Sequence, residues 1–331
     1  MATRAACVPA QQVRAALTAC ARPLICSHIR LDGDAVGSAG GLWHILGDMG
    51  KRPHVVNGDR LPRVYSFLPS SREMGAGAKD LRDGYDLIIA LDSPSLERIG
   101  DLPAAWPSGA ARVNIDHHAS NDRFMSFNWA DASYSSTGEM ILDLADAAGW
   151  KVSPAAATAL YVAVVTDTNR FTLPNTTRET LSAAARLVDL GAAHVEVSER
   201  LYYDQPLGLT RLRGLCLESL RVAVGGKVAV AKLTREMFAA TGMDSLDTQE
   251  FAEIPRSVEG VVAGVLLREM EHGQIKVSLR GRQGFDVESI ARKFAGGGHP
   301  QAAGIVMAGT LSQVEQKVVT AIDDALREKG K

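Results

Sequence analysis

The stretch PLICSHIRLDGDAVGSAGGLWHILGDMG, residues 23–50, decides how the first half of the chain is read. Its first five residues are an apolar run of strand length. A polar segment holding His28, Asp32 and Asp34 follows, and a helical pattern then runs through Leu42, Ile45 and Leu46 to Gly50. Downstream, HVVN, DLIIALD and ARVNID repeat the short apolar run. Alternation of such runs with helical patterns predicts an α/β fold whose first domain is a mostly parallel sheet flanked by helices.

A helical block comes next. STGEMILDLADAAG carries an apolar stripe through Met140, Ile141, Leu144 and Ala148, and SPAAATALYVAVV opens with Ser153 and Pro154 at cap and first-turn positions. NTTRETLSAAARLVDLGA reads as a further helix closed by Gly191. The mostly helical stretch 193–220 reads as a connector between a first domain, 1–192, and a smaller α/β domain, 221–331. In the latter, RVAVGGKVAVAKL has the form of a hairpin with a Gly-Gly turn, GVVAGVLLRE and QIKVSLRG look like strands, and a last helix runs over about 311–328.

Length and composition agree with two domains. The 331 residues are 46% hydrophobic but only 5% aromatic, so Ala, Gly, Val and Leu must supply most of the packing. A net charge of −2 argues against a broad basic surface that coats long nucleic acid, and leaves a small anionic substrate. Cys7, Cys20, Cys26 and Cys216 are scattered without metal-binding or redox spacing, which fits reduced thiols in a cytoplasmic protein. The N-terminus carries Arg4, Gln11, Gln12 and Arg14 and lacks the apolar core of a signal peptide. The longest apolar run, ALYVAVV, falls far short of the roughly 18 residues that span a membrane.

The chemistry collects where apolar segments end. PLICS leads to His28, Asp32 and Asp34; DLIIAL to Asp92; ARVNI to Asp116, His117 and His118; ALYVAVVT to Asp167. Singly, an Asp after a strand is usually a cap or turn residue. In an open α/β sheet, however, ligands bind outside the carboxyl ends of the strands, so three of these clusters converge by topology. Several carboxylates brought together without cations repel strongly, and divalent ions remove that cost. Two His and four Asp suit a pair of ions. Mixed imidazole and carboxylate ligands favour manganese over magnesium, with iron, cobalt and zinc as competitors. Two such ions activate water and polarise a phosphoryl oxygen, which makes phosphoester hydrolysis the natural chemistry.

HIRLDGDAVGS, LIIALDS, NIDHHAS and VVTDTNRF resemble the four ordered motifs of the DHH phosphoesterase family, with Asp116-His117-His118 as the signature. FAGGGHPQAAG, residues 294–304, is similar to the glycine-rich motif of that family's associated second domain. The resemblance implies that His28, Asp32 and Asp92 bind one ion and that Asp34, Asp92, His117 and Asp167 bind the other, with Asp92 bridging. It also implies that His118 faces the substrate phosphate or leaving oxygen, with Asp116 orienting its surroundings. Leu31 departs from the family's usual proline, and Asn169 from its usual glycine; Asn tolerates left-handed backbone, so the turn after Asp167 can be kept.

In the second domain, Ser278, Arg280 and Arg282 lie on or just beyond a strand, and a helix and then Gly297, Gly298 and His299 follow. Glycines let backbone amides approach an anion, and arginine clamps a phosphate with two parallel hydrogen bonds. This reads as a phosphate grip, joined by Arg268 at the end of VVAGVLLRE. Among the branches of the resembled family, a long-strand exonuclease would carry extra binding domains and a basic track, and the pyrophosphatase branch ends in a Ser-Arg-Lys-Lys motif absent here. The reading is therefore a cytoplasmic hydrolase of short oligoribonucleotides and of 3′-phosphoadenosine 5′-phosphate. The alternatives are a cyclic di-AMP phosphodiesterase and a nucleotide sensor without turnover; a homodimer is left open.

Overall fold

A computed structural model describes residues 4–282 and 284–329, and the chain divides into two compact units between Asp204 and Gln205, inside the helical stretch 193–220. The first unit runs α1 (Val8–Ala19), β1 (Pro23–Ser27), α2 (Gly33–Asp48), β2 (His54–Asn57), β3 (Met74–Ala76), β4 (Leu87–Leu91), β5 (Ala111–Asp116), β6 (Phe127–Ala130), α3 (Thr137–Ala148), α4 (Pro154–Asp167), α5 (Arg178–Asp189) and α6 (His194–Ser198). Its six strands lie in the order β3-β2-β1-β4-β5-β6, and every pairing is parallel. The order reverses between β1 and β4, the kind of switch point at which a crevice opens beyond the strand ends.

β1 and β4 are buried on both faces, which is why each reads as an unbroken apolar run instead of an alternation. Ile25, Ile89 and Ile115 pack into a large core shared with the first four helices. Leu24, Cys26, Ile88 and Ala90 face a smaller core capped by Ile99, Leu102 and Trp106 from short 3₁₀ turns. Helices thus cover one side and turns the other.

α4 is apolar all round, and Ala159 to Val165 are buried without exception. α2 lies directly on it because glycines face it: a Cβ on Gly37 would stand 2.5 Å from the Ala159 carbonyl oxygen and 2.6 Å from the Ala163 nitrogen. That close approach sets the start of α2, with its aspartates, beside the end of α4. Ser153 occupies the N-cap position of α4, but its hydroxyl makes no capping bond.

The second unit holds α7 (Leu207–Glu218), β7 (Arg221–Ala223), β8 (Val228–Leu233), α8 (Arg235–Thr241), α9 (Glu253–Arg256), β9 (Ala263–Glu269), β10 (Gln274–Gly281), α10 (Val287–Arg292), β11 (Gly297–His299), β12 (Ala302–Ala308) and α11 (Leu311–Lys329). Its sheet has the order β11-β12-β10-β9-β8-β7 and is antiparallel except between β8 and β9. Val277, Leu279, Val265 and Val230 pack with Ile290, Val314, Val318 and Ile322 of α10 and α11. On the opposite face Ala231, Leu233 and Leu266 meet Leu209, Leu212 and Phe251. The glycine run Gly297–His299 forms the edge strand β11, paired with β12.

Candidate metal centre

Each candidate ligand stands where an element ends. His28 follows β1, and its Nδ1 lies 2.8 Å from the Ile29 carbonyl oxygen, leaving Nε2 to face the cluster. Asp32 caps α2 by accepting from the Ala35 amide at 3.0 Å, and Asp34 sits in the same first turn. Asp92 follows β4 in left-handed backbone, φ 53°, held there by its amide bond to the Ile115 carbonyl at 3.0 Å. Asp116 ends β5, with His117 and His118 after it, and Asp167 ends α4. The chain then keeps left-handed backbone at Asn169, Arg170 and Phe171, in line with the expectation for Asn169.

The structure brings all six expected ligands together. Asp92 Oδ2 lies 3.3 Å from His28 Nε2, which is 3.5 Å from Asp32 Oδ2. Asp92 Oδ1 lies 3.5 Å from His117 Nε2, which is also 3.7 Å from Asp34 Oδ2 and 3.5 Å from Asp167 Oδ2. The two oxygens of one carboxylate therefore face two separate donor groups. Bonds of about 2.0–2.2 Å at right-angled to tetrahedral geometry put two ligands of one ion about 3.0–3.5 Å apart. The observed separations are close to such ligand-to-ligand edges. Among the described residues three groups, His28 with Asp32 and Asp92, Asp34 with His117 and Asp167, and Asp92 with His117 and His118, each offer nitrogen and carboxylate oxygen donors suited to a metal ion.

The electrostatics ask for a cation. Burial, with Asp92 nearby, pushes Asp34 well above the usual carboxylate range, and burial raises Asp167 to about 6 against the opposing pull of His117. Burial also works to raise Asp92, but His28, His118 and His117 around it hold it below the ordinary range. Burial would lower His117, yet Asp167, Asp92 and Asp34 outweigh it and lift it to about 9. Protons on the histidines thus offset crowded carboxylates that divalent ions would neutralise better. The donor set fits metal.

His118 is different. Its Nδ1 is 2.7 Å from Asp116 Oδ1 and only 3.6 Å from Asp92, so that nitrogen is committed to Asp116. Asp116 is fully buried and accepts from Asn121 Nδ2 at 2.6 Å, which fixes the pair. Ser38, Thr137, Asn121 and Asn175 were not singled out from the sequence. Ser38 Oγ donates to Asp34 at 2.7 Å, Thr137 Oγ1 to Asp92 at 3.3 Å, and Asn175 Nδ2 to the Asp167 carbonyl at 3.2 Å. As ordinary polar residues spread over loops and helices they give no signal; only the fold sets them against the centre.

The expected grip residues all lie in the second unit. Register pairs Ser278 with Leu266 and Gly304, Arg280 with Gly264 and Ala302, and Lys276 with Arg268. Arg268, Ser278 and Arg280 therefore share one sheet face, opposite Val277 and Leu279, and the pairing of His299 with Ala302 adds β11 to it. Arg280 is ion-paired to Glu253 at 2.8 Å, Arg268 donates to Thr248 at 3.0 Å, and Arg282 donates to the Val258 carbonyl at 3.1 Å. Gly298 has φ 147°, and a Cβ there would come within 2.4 Å of the Ala302 carbonyl oxygen, so only glycine fits.

Comparison with known proteins gives the same picture. Residues 22–164 match the DHH family, N-terminal domain, and residues 225–328 match the DHHA1 domain. The protein of Thermus thermophilus named bifunctional oligoribonuclease and PAP phosphatase NrnA is 35% identical over 307 residues, spanning 92% of this chain and 90% of its own. The protein of the same name from Bacillus subtilis is 33% identical over 282 residues, spanning 84% and 86%. Among solved structures, an exopolyphosphatase-related protein from Bacteroides fragilis superposes with a TM-score of 0.88 at 27% identity over 95% of both chains.

Proposed function

The chain belongs to the DHH family and is a hydrolase of phosphoester bonds, and on that premise we propose that it degrades short oligoribonucleotides to mononucleotides and converts 3′-phosphoadenosine 5′-phosphate to AMP. The names of two relatives similar over most of their length support the substrates. The observation that carries the chemistry is Asp92, whose two carboxylate oxygens face His28 and His117 separately. His28, Asp32 and Asp92 would hold one divalent ion, and Asp34, Asp92, His117 and Asp167 a second, with manganese favoured by the mixed donors. Bound there, such ions supply charge neutralisation at the phosphoryl oxygens and activation of water as nucleophile.

The chain's own residues do the rest. His118, with Nδ1 held by Asp116, presents the opposite ring edge and gives its proton to the leaving oxygen as the phosphorus–oxygen bond breaks. Arg268, Ser278, Arg280, Arg282, Gly297, Gly298 and His299 are assigned to holding the nucleotide. Shared sheet-face placement supports this for Arg268, Ser278, Arg280 and His299. A cytoplasmic location agrees with four cysteines outside disulfides, and among the described residues no helix is long and apolar enough to cross a membrane.

Phosphate release from 3′-phosphoadenosine 5′-phosphate with Mn²⁺ tests the reading, with Asp92→Ala as the decisive variant. Loss of a residue behind a metal ligand costs roughly 10–100-fold, so loss of the shared ligand itself should exceed about 100-fold. A variant that turns over like the wild type would remove Asp92 from the centre.

A further inference from the structure

Glu139 is 1% exposed in the first turn of α3, near none of the expected ligands in sequence, yet an unusual number of bonds meet on it. Oε1 takes the Arg4 guanidinium, which also donates to the Ser133 carbonyl at 2.9 Å and lies 3.7 Å over the Tyr134 ring. Oε2 accepts from the Ser135 amide at 2.9 Å, the Ser135 hydroxyl at 2.6 Å and Thr180 Oγ1 of α5 at 3.2 Å. One carboxylate thus ties the N-terminal segment and α5 to the loop that enters α3.

That loop grips the metal centre. The Thr137 amide donates to Asp34 Oδ2 at 2.7 Å and the Gly138 amide to Oδ1 at 3.0 Å, so the open amides of the helix start clamp both oxygens of one ligand. Thr137 Oγ1 reaches Asp92 at 3.3 Å. The Ser135 carbonyl accepts from Asn175 Nδ2 at 3.1 Å, and the same amide group bonds the Asp167 carbonyl at 3.2 Å. Three ligands, in α2, after β4 and at the end of α4, are held by residues 135–138 or by the Asn175 side chain bonded to Ser135.

We propose that Glu139 is a positioning residue for the metal centre, fixing Asp34, Asp92 and the end of α4 through residues 135–138. This rests on the ligand assignment above but not on the identity of the substrate. The carboxylate is required, and an amide does not replace it. Glu139→Gln keeps the volume, but whichever way the amide turns, its NH₂ meets either the Arg4 guanidinium or the Ser135 and Thr180 donors.

The test is calorimetric titration of the metal-stripped full chain with Mn²⁺ alone, for wild type, Glu139→Gln, Thr180→Val and the control Leu17→Ala, a core residue of α1. Glu139→Gln should bind Mn²⁺ roughly 10–100-fold more weakly, as loss of outer support for metal ligands does, with a smaller weakening for Thr180→Val. Leu17→Ala should lower the unfolding temperature while leaving Mn²⁺ affinity within about twofold, since it opens a cavity in the core under α1 and breaks none of the hydrogen bonds that reach the ligands. Wild-type affinity in Glu139→Gln would overturn the proposal alone, as would an equal loss in Leu17→Ala, which would mark general destabilisation. Absence of Mn²⁺ binding by the wild type would overturn the ligand assignment and the proposal with it. Should Glu139→Gln fail to fold, Thr180→Val, which removes one hydroxyl, decides by the same comparison.

Discussion

In the proposed reaction the proton step turns on His118 and Asp116. Burial works to lower the His118 pKa, but the bond to Asp116 and the nearby Asp92 charge outweigh it and leave it raised. Its cation therefore persists above the ordinary range near 6.5, and a step that needs that proton is lost only as pH rises through the raised value. Asp116→Asn removes the charge that sustains the cation, so the basic limb of the kcat–pH profile should move to lower pH; an unmoved limb would take His118 out of the proton step. His117, lifted to about 9, must shed its proton to bind metal, so Mn²⁺ affinity should climb with pH below that value. Titration at two pH values checks the slope, and an affinity flat with pH would show that His117 is not a ligand. These residues were legible because Asp-His-His is contiguous at a strand end; Thr137 was not, because its partner Asp92 is distant in sequence, and Ser38, one turn after Asp34 on α2, reads as an ordinary helix residue.

At the level of elements, the crossing of α2 on α4 sets the geometry of the centre. Gly37→Ala would drive a methyl group into the Ala159 and Ala163 backbone, which no rotamer change relieves. Forcing the helices apart should cost about 1–3 kcal/mol of stability, read by denaturant unfolding, and should weaken Mn²⁺ binding because Asp34 and Asp167 ride on the two helices. Unchanged stability would contradict the close approach. The central strands β1, β4 and β5 were readable as apolar runs. β3, β6 and β11 escaped, being three or four residues long and half-buried or exposed over most of their length, so neither hydrophobic run nor alternation marks them. The Gly-Gly hairpin of β7 and β8 was legible from its turn chemistry, and Gly225 and Gly226 take positive φ there.

For the whole molecule, the two units carry separate cores, and all six expected metal ligands belong to the first. Metal should therefore stabilise the first unit against unfolding, by about 2.7 kcal/mol at a hundredfold excess over Kd, and a chelator should reverse the gain. Differential scanning calorimetry with and without Mn²⁺ reads this directly; an unshifted profile would contradict metal binding to the native state. Two domains were foreseen from length and pattern. The division between Asp204 and Gln205 falls in the short non-helical break before α7, so its sequence mark is the single Pro206 and not a shift in composition.

The most direct measurement of the central claim is the rate of cleavage, with Mn²⁺, of a 5′-phosphorylated diribonucleotide and of 3′-phosphoadenosine 5′-phosphate beside cyclic di-adenylate and a long single-stranded RNA. The account predicts fast turnover of the first two, little of the cyclic compound, and little of the long strand, for which the net charge of −2 gives no basic track. Preference for cyclic di-adenylate, or inactivity on all four with metal bound, would contradict it.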